Sequence, residues 1–103
     1  MEDTKIFKAL SNQTRVQILD WLKNPEKNFE PQTHSLTTAN FEGGVCVASI
    51  QKKVDLSQST VSNFLSMLHK SGLLEAKKIG QWTYYRRNEE TIRKLSKWIK
   101  EEL

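Results

Sequence analysis

The chain has little of what most function classes need. Its single cysteine, Cys46, cannot form an internal disulfide, so a reducing compartment is the natural setting. Histidine occurs twice, at His34 and His69. No apolar run approaches the roughly 18 residues of a membrane span. The first residues, with Glu2 and Asp3, do not lead into the apolar core of a secretory signal. A cytoplasmic protein without a membrane partner is therefore expected. Paired carboxylates, a glycine-rich phosphate loop and a nucleophile–base pattern are all missing, which argues against an enzyme and against a cofactor. The two prolines and four glycines fall at Pro25, Pro31, Gly43, Gly44, Gly72 and Gly80, and each marks a break between segments.

A second scarcity is local. No carboxylate occurs from Leu56 through Leu74, and none between Ala76 and Asn88. Residues 43–87 carry seven basic and two acidic side chains, whereas 1–42 carry five and six and 88–103 carry four of each. The formal net charge of +4 is therefore concentrated in the middle of the chain, as a polyanion-binding surface requires. At 103 residues the chain forms one domain, 1–103, and a partner subunit would help cover its modest core.

Periodicity divides the chain into short elements. Residues 4–10 fit a first helix with Ile6, Phe7 and Leu10 on one side. Ser11 or Asn12 can cap a second, running to about Lys23, with Val16, Ile18, Leu19, Trp21 and Leu22 on its apolar face. Asn24-Pro25 ends it. A long polar loop, 25–44, follows, with Phe29, Leu36 and Phe41 as its anchors. Residues 47–54 read as a short helix with Val47, Ile50 and Val54 inward, and 55–57 as a turn. The next helix, 58–71, buries Val61, Phe64, Leu65 and Leu68, and Gly72 supplies its left-handed end. Two strands, 75–79 and 82–87, flank Gly80-Gln81, which suits a two-residue hairpin turn. A last helix, 89–103, carries the stripe Ile92, Leu95, Ile99 and Leu103, broadened by Trp98.

The helix 58–71 carries the functional signal. Its outward positions are Gln58, Ser59, Thr60, Ser62, Asn63, Ser66, His69 and Lys70, behind Ser57 as cap. A helix facing only water usually carries glutamates. Short hydroxyl and amide side chains instead suit base edges and phosphates, and the preceding short helix and tight turn complete a helix-turn-helix. Lys77, Lys78, Gln81, Arg86 and Arg87 are expected around the hairpin tip, as a second, backbone-directed DNA contact. Tyr85 fits cross-strand packing, and Trp82 fits either DNA contact or simple exposure. A module used only for protein contact would not require an acid-free helix beside a basic hairpin.

Three motifs in order resemble the ArsR-type (arsenic-repressor-like) winged-helix regulators. They are Phe7-Lys8-Ala9-Leu10-Ser11-Asn12-Gln13-Thr14-Arg15-Val16-Gln17-Ile18-Leu19, then Leu56-Ser57-Gln58-Ser59-Thr60-Val61-Ser62, then Ser71-Gly72-Leu73-Leu74 with Gly80 and Tyr85. The resemblance covers nearly the whole chain except 25–41. It implies an α+β, mostly helical winged helix-turn-helix with a two-stranded wing. It also implies a homodimer formed through the first and last helices, here Ile6, Phe7, Leu10, Ile92, Leu95, Ile99 and Leu103, and repression of an operator in double-stranded DNA that a signal relieves. Two such recognition helices would meet half-sites about 34–36 Å apart.

The signal is where the chain departs from the metal-sensing members. Their arsenic site uses a Cys-x-Cys pair at the start of the first motif helix; here Ala48 stands at the second position after Cys46. A soft metalloid needs two or three thiolates. Other members bind zinc through Asp and His on the last helix, and 88–103 contains neither. No metal site is expected. Cys46 reads as a small buried hydrophobe or as a redox or electrophile sensor, and a joint Cys46–His34 metal site is the remaining variant. His69 reads as a phosphate contact or capping group. The effector is left unassigned.

Overall fold

A computed structural model describes residues 4–32 and 39–103. Six helices and three strands occur among them: α1 (Thr4–Leu10), α2 (Gln13–Lys23), α3 (Pro25–Asn28), β1 (Val45–Cys46), α4 (Val47–Lys53), α5 (Gln58–Lys70), β2 (Leu74–Ile79), β3 (Trp82–Arg87) and α6 (Glu89–Glu102). Local chemistry sets most boundaries. The Asn12 side chain accepts from the Arg15 N–H at 3.0 Å and starts α2. Ser57 does the same for α5 through Thr60, and Asn88 for α6 through Thr91.

The end of α5 is a Schellman motif. Gly72 sits at φ +88°, its N–H donates to the His69 carbonyl, and the Leu73 N–H donates to that of Leu68. Both leucines are buried in the same core, so the chain turns directly from α5 into β2.

That core unites α1, α2, α4, α5, the sheet and α6. Ile18, Ile50, Val61, Leu65 and Leu68 are fully shielded at its centre. Arg15 is buried with them. Its Nε donates to the Ala9 carbonyl at 2.8 Å, a second guanidinium nitrogen reaches the Lys8 carbonyl at 3.1 Å, and its plane lies 5.0 Å from the Phe64 ring centroid. One side chain therefore closes the C-terminus of α1 and presses on α5.

Four expectations need correction. Val16 is 43% exposed, because α2 turns Arg15, Ile18, Leu19 and Leu22 inward and leaves Val16 on the opposite side. Segment 25–44 is not wholly a loop: Pro25 serves as first residue of α3, where its missing N–H costs nothing. Asn28 then donates to the Trp21 and Asn24 carbonyls at the end of α2. Phe41 does anchor this segment, and Phe29 is half-buried, whereas Leu36 and His34 lie outside the described residues. The sheet has three strands, not two, in the order β1-β3-β2 and all antiparallel. Val45 and Cys46 pair with Tyr85 and Tyr84, a strand too short for periodicity to reveal. Finally, Ile6 and Leu95 belong to the core of the chain itself.

Candidate nucleic-acid interface

Helix α5 presents two unlike faces. Val61, Leu65 and Leu68 are completely buried, which fixes the helix in rotation about its axis. Outside this stripe Ser57, Gln58, Ser59, Ser62, Asn63, His69 and Lys70 are exposed, and Thr60 and Ser66 are half-exposed. At 100° per residue, Ser59, Asn63, Ser66 and Lys70 lie opposite the buried stripe, Thr60 and Ser62 flank that face, and Gln58 and His69 lie at its edge beside Leu65. No acid occupies the first turn, so the positive end of the helix dipole is left for an anion.

Neighbouring groups hold this surface in place. The Ser57 hydroxyl, besides capping the helix, donates to Thr60 Oγ1 at 2.8 Å. Gln51 on α4 donates to Ser62 Oγ at 3.4 Å, and its carbonyl oxygen faces Gln58 Nε2 at 3.5 Å. These weak polar ties link the two helices of the motif across the turn. Nothing in the sequence surroundings of Gln51 distinguishes it from a solvated glutamine; only the approach of α4 to α5 gives it this place. The base of α4 is set by Lys53, whose ammonium lies 5.0 Å from the Trp21 ring centroid and 5.7 Å from that of Phe29.

The hairpin register, from Ile79 opposite Trp82 to Leu74 opposite Arg87, confirms a two-residue turn. Gly80 takes φ +64° while Gln81 stays at negative φ, as a type II′ turn requires. Gln81, Trp82 and Lys78 are exposed at this tip, Trp82 by 52%. Lys78 makes no hydrogen bond or ion pair with another described residue.

The other three expected cations are not at the tip. Arg86 stands opposite Glu75 and Arg87 opposite Leu74, at the foot of the hairpin. Arg86 Nε pairs with Glu75 Oε1 at 3.1 Å, its guanidinium donates to the Glu42 carbonyl at 3.1 Å, and it stacks 4.2 Å from the Phe41 ring centroid. Arg87 pairs with Glu89 at 3.0 Å. Lys77 donates to the Ala39 carbonyl. The sequence shows their charge but not the three-dimensional partners that engage it. Phe41, an aromatic residue in an otherwise polar segment, was the available signal.

Tyr84 and Tyr85 leave the sheet on opposite sides. Tyr85 packs against the main core, and burial pushes its phenol above the usual 10.0. Tyr84 packs with Phe41 in a second, smaller core that Cys46 and Ile79 flank. Cys46 is half-buried there, at the N-cap of α4, and its N–H donates to Gln32 Oε1 at 2.9 Å. Its partners are aromatic and amide groups, and no group of three or more metal-ligating side chains occurs among the described residues. The donor set around Cys46 does not fit a metalloid: a single thiol lies there, with Ala48 in place of a second. The Cys46–His34 variant falls partly outside the described residues.

The expected dimer residues divide in two. Ile6 and Leu95 are consumed by the core, whereas Phe7, Ile99 and Leu103 are exposed, and Leu10, Ile92 and Trp98 are half-buried. Phe7 and Trp98 meet with ring centroids 5.6 Å apart, so α1 and α6 share one apolar surface.

Known proteins agree with this geometry. Residues 41–76 match the model of the bacterial regulatory protein, arsR family. A Bacillus subtilis helix-turn-helix-type transcriptional regulator, YbzH, is 47% identical over 103 residues, covering all of both chains. A Halobacterium salinarum protein, provisionally named an arsenical resistance operon repressor, is 34% identical over 89 residues, which span 86% of this chain and 61% of that one. Among solved structures, the homodimeric winged helix-turn-helix DNA-binding domain of a Mycobacterium bovis protein superposes with a TM-score of 0.64 at 28% identity. The match covers 94% of this chain and 73% of that one. No helix among the described residues is long and apolar enough to cross a membrane.

Proposed function

The chain belongs to the ArsR family of winged helix-turn-helix transcriptional regulators, which are DNA-binding proteins rather than enzymes, and from that premise we propose that it is a homodimeric operator repressor. In this reading α5 lies in the major groove, and the exposed face from Ser57 to Lys70 meets base edges and phosphates. The wing tip, with Lys78, Gln81 and Trp82, follows the neighbouring backbone. The observation that carries the reading is the pairing of a fully buried apolar face on α5 with an opposite face that is exposed, polar and free of acid. Arg86 and Arg87 serve the hairpin rather than the DNA, since carboxylates already engage both.

The dimer reading rests on α6. Of its fourteen residues only Leu95 is buried, although Ile92, Trp98, Ile99 and Leu103 continue the same stripe. A second copy docking α1 and α6 against their equivalents covers that stripe and presents two recognition helices on one side. Release of the operator is assigned to a signal other than arsenic or zinc. Cys46 lacks a second thiol two residues on, and α6 lacks His and Asp.

Titration against a random-sequence duplex pool and against the duplex selected from it, at two salt concentrations, tests the function. Binding that weakens steeply with salt supports it. Absence of binding at low salt refutes it and leaves a protein-interaction module. Release of selected DNA by micromolar zinc or arsenite refutes the assignment of the signal.

A further inference from the structure

The segment that leads into β1 is bound to the wing more firmly than an ordinary connection. Phe41 is only 4% exposed, and Tyr84 beneath it 6%. Together they form a core distinct from the main one, on the outer side of the sheet. The Arg86 guanidinium covers the Phe41 ring at 4.2 Å, bonds to the Glu42 carbonyl and is held from β2 by Glu75. Lys77 bonds to the Ala39 carbonyl from the same strand as Glu75. The segment 39–42 is thereby fastened to both strands of the hairpin.

The sheet alone would leave the wing poorly supported. β1 pairs only with Tyr84 and Tyr85, so the pairs from Lys78–Thr83 to the turn have no third strand beside them. An isolated two-stranded hairpin is marginal in water. We infer that Phe41 is a positioning residue for the wing: wedged between Tyr84 and Arg86, it sets the angle at which the hairpin tip, and Lys78 with it, meets DNA. This inference rests on the DNA-binding reading above. It also separates the four wing cations by role. Lys77 and Arg86 hold the wing to the segment, Arg87 joins it to α6 through Glu89, and Lys78 is left for phosphate.

The test uses the full chain and the duplex selected from the random pool. Variants are Phe41→Ala, Phe41→Tyr, Lys78→Ala and the double Phe41→Ala/Lys78→Ala, all compared well below their melting temperatures. Lys78→Ala should weaken binding roughly fivefold and lower the slope of log affinity against log salt by about 0.9 for each phosphate no longer neutralised. Phe41→Ala should weaken binding by about the same factor, because it withdraws the same ammonium that the wing delivers. In the Phe41→Ala background, Lys78→Ala should then cost less than about twofold. Phe41→Tyr keeps the ring under Arg86 and should bind as the parent does. A thiol reagent reports the wedge independently, since Cys46 is the chain's single cysteine and flanks the small core. Its labelling should accelerate several-fold in Phe41→Ala and stay at the parental rate in Phe41→Tyr.

Full additivity of Phe41→Ala and Lys78→Ala overturns the inference and reduces Phe41 to a stability residue. Parental affinity in Phe41→Ala, or unchanged Cys46 labelling, overturns it as well. If the parent binds no duplex at low salt, the functional reading itself falls, a different outcome from any of these.

Discussion

Replacing Arg15 tests how the recognition helix is seated. Arg15→Met retains most of the apolar stem but removes every donor. The Ala9 carbonyl, on a residue only 1% exposed, then loses its partner at 2.8 Å. A buried acceptor left unsatisfied costs about 1–3 kcal/mol. The Lys8 carbonyl fares better, because the Ser11 hydroxyl still donates to it at 2.6 Å, so its loss adds roughly 0.5 kcal/mol. Loss of the cation over Phe64 adds about 0.5–1 kcal/mol. Against this, relieved desolvation of the guanidinium returns about 1–2 kcal/mol, whereas rotamer freedom changes little because a buried methionine loses about as much as arginine. The expected net loss is about 2 kcal/mol. Urea unfolding followed by far-ultraviolet circular dichroism, at one fixed protein concentration, measures it. With a slope of about 1.2 kcal/mol per molar, the midpoint should fall by roughly 1.5–2 M without a change of slope. An unchanged or raised midpoint would refute the reasoning, and would mean that the α1 carbonyls find water once the guanidinium has gone.

Four further outcomes are expected. Asn63→Ala should reorder preferred sites in a pool selection while leaving stability within about 0.5 kcal/mol, because Asn63 is exposed; an unchanged site order removes it from the readout. Ile99→Asp changes a residue 45% exposed, so the fold should persist while sedimentation shows a monomer and operator affinity falls by more than about tenfold. Gly72→Ala should cost roughly 1–2 kcal/mol in thermal unfolding from its φ of +88° alone, since the added Cβ would meet Thr91 at an unstrained 3.7 Å. Burial raises the Tyr85 phenol above 10.0, so the unfolded chain ionises first; stability should be complete below pH 10 and decline above it, and Tyr85→Phe should flatten that decline in urea midpoints taken from about pH 9 to 11.

Legibility in the sequence followed the range of the forces involved. Helix α5 and its surroundings were readable because its cap, its apolar spacing and Gly72 act within a few residues. The hairpin was readable because Gly80 and the strand lengths suffice to define it. Val16 was misplaced because Arg15, a charged residue, took the inward position beside it by bonding to carbonyls of the previous helix. Strand β1 was missed because two residues carry no period, and its partner lies some forty positions along the chain. For the wing, residue type was a poor guide to role. Arg86 and Lys78 look equivalent in sequence, and only the approach of Phe41, Glu42 and Glu75 distinguishes them. Spacing alone does not divide the α6 stripe either, since the position of Leu95 suits both core and surface, and only the packing of α6 puts it in the core.

Cys46 ends a strand and Val47 begins a helix, with no residue between them. Sheet and reading head are thus joined by a rigid splice. Inserting one amino acid at that junction would rotate α4 by about 100° relative to the wing and carry the turn before α5 out of phase. The strand–helix junction itself is therefore a point where a change of length is felt by both elements at once.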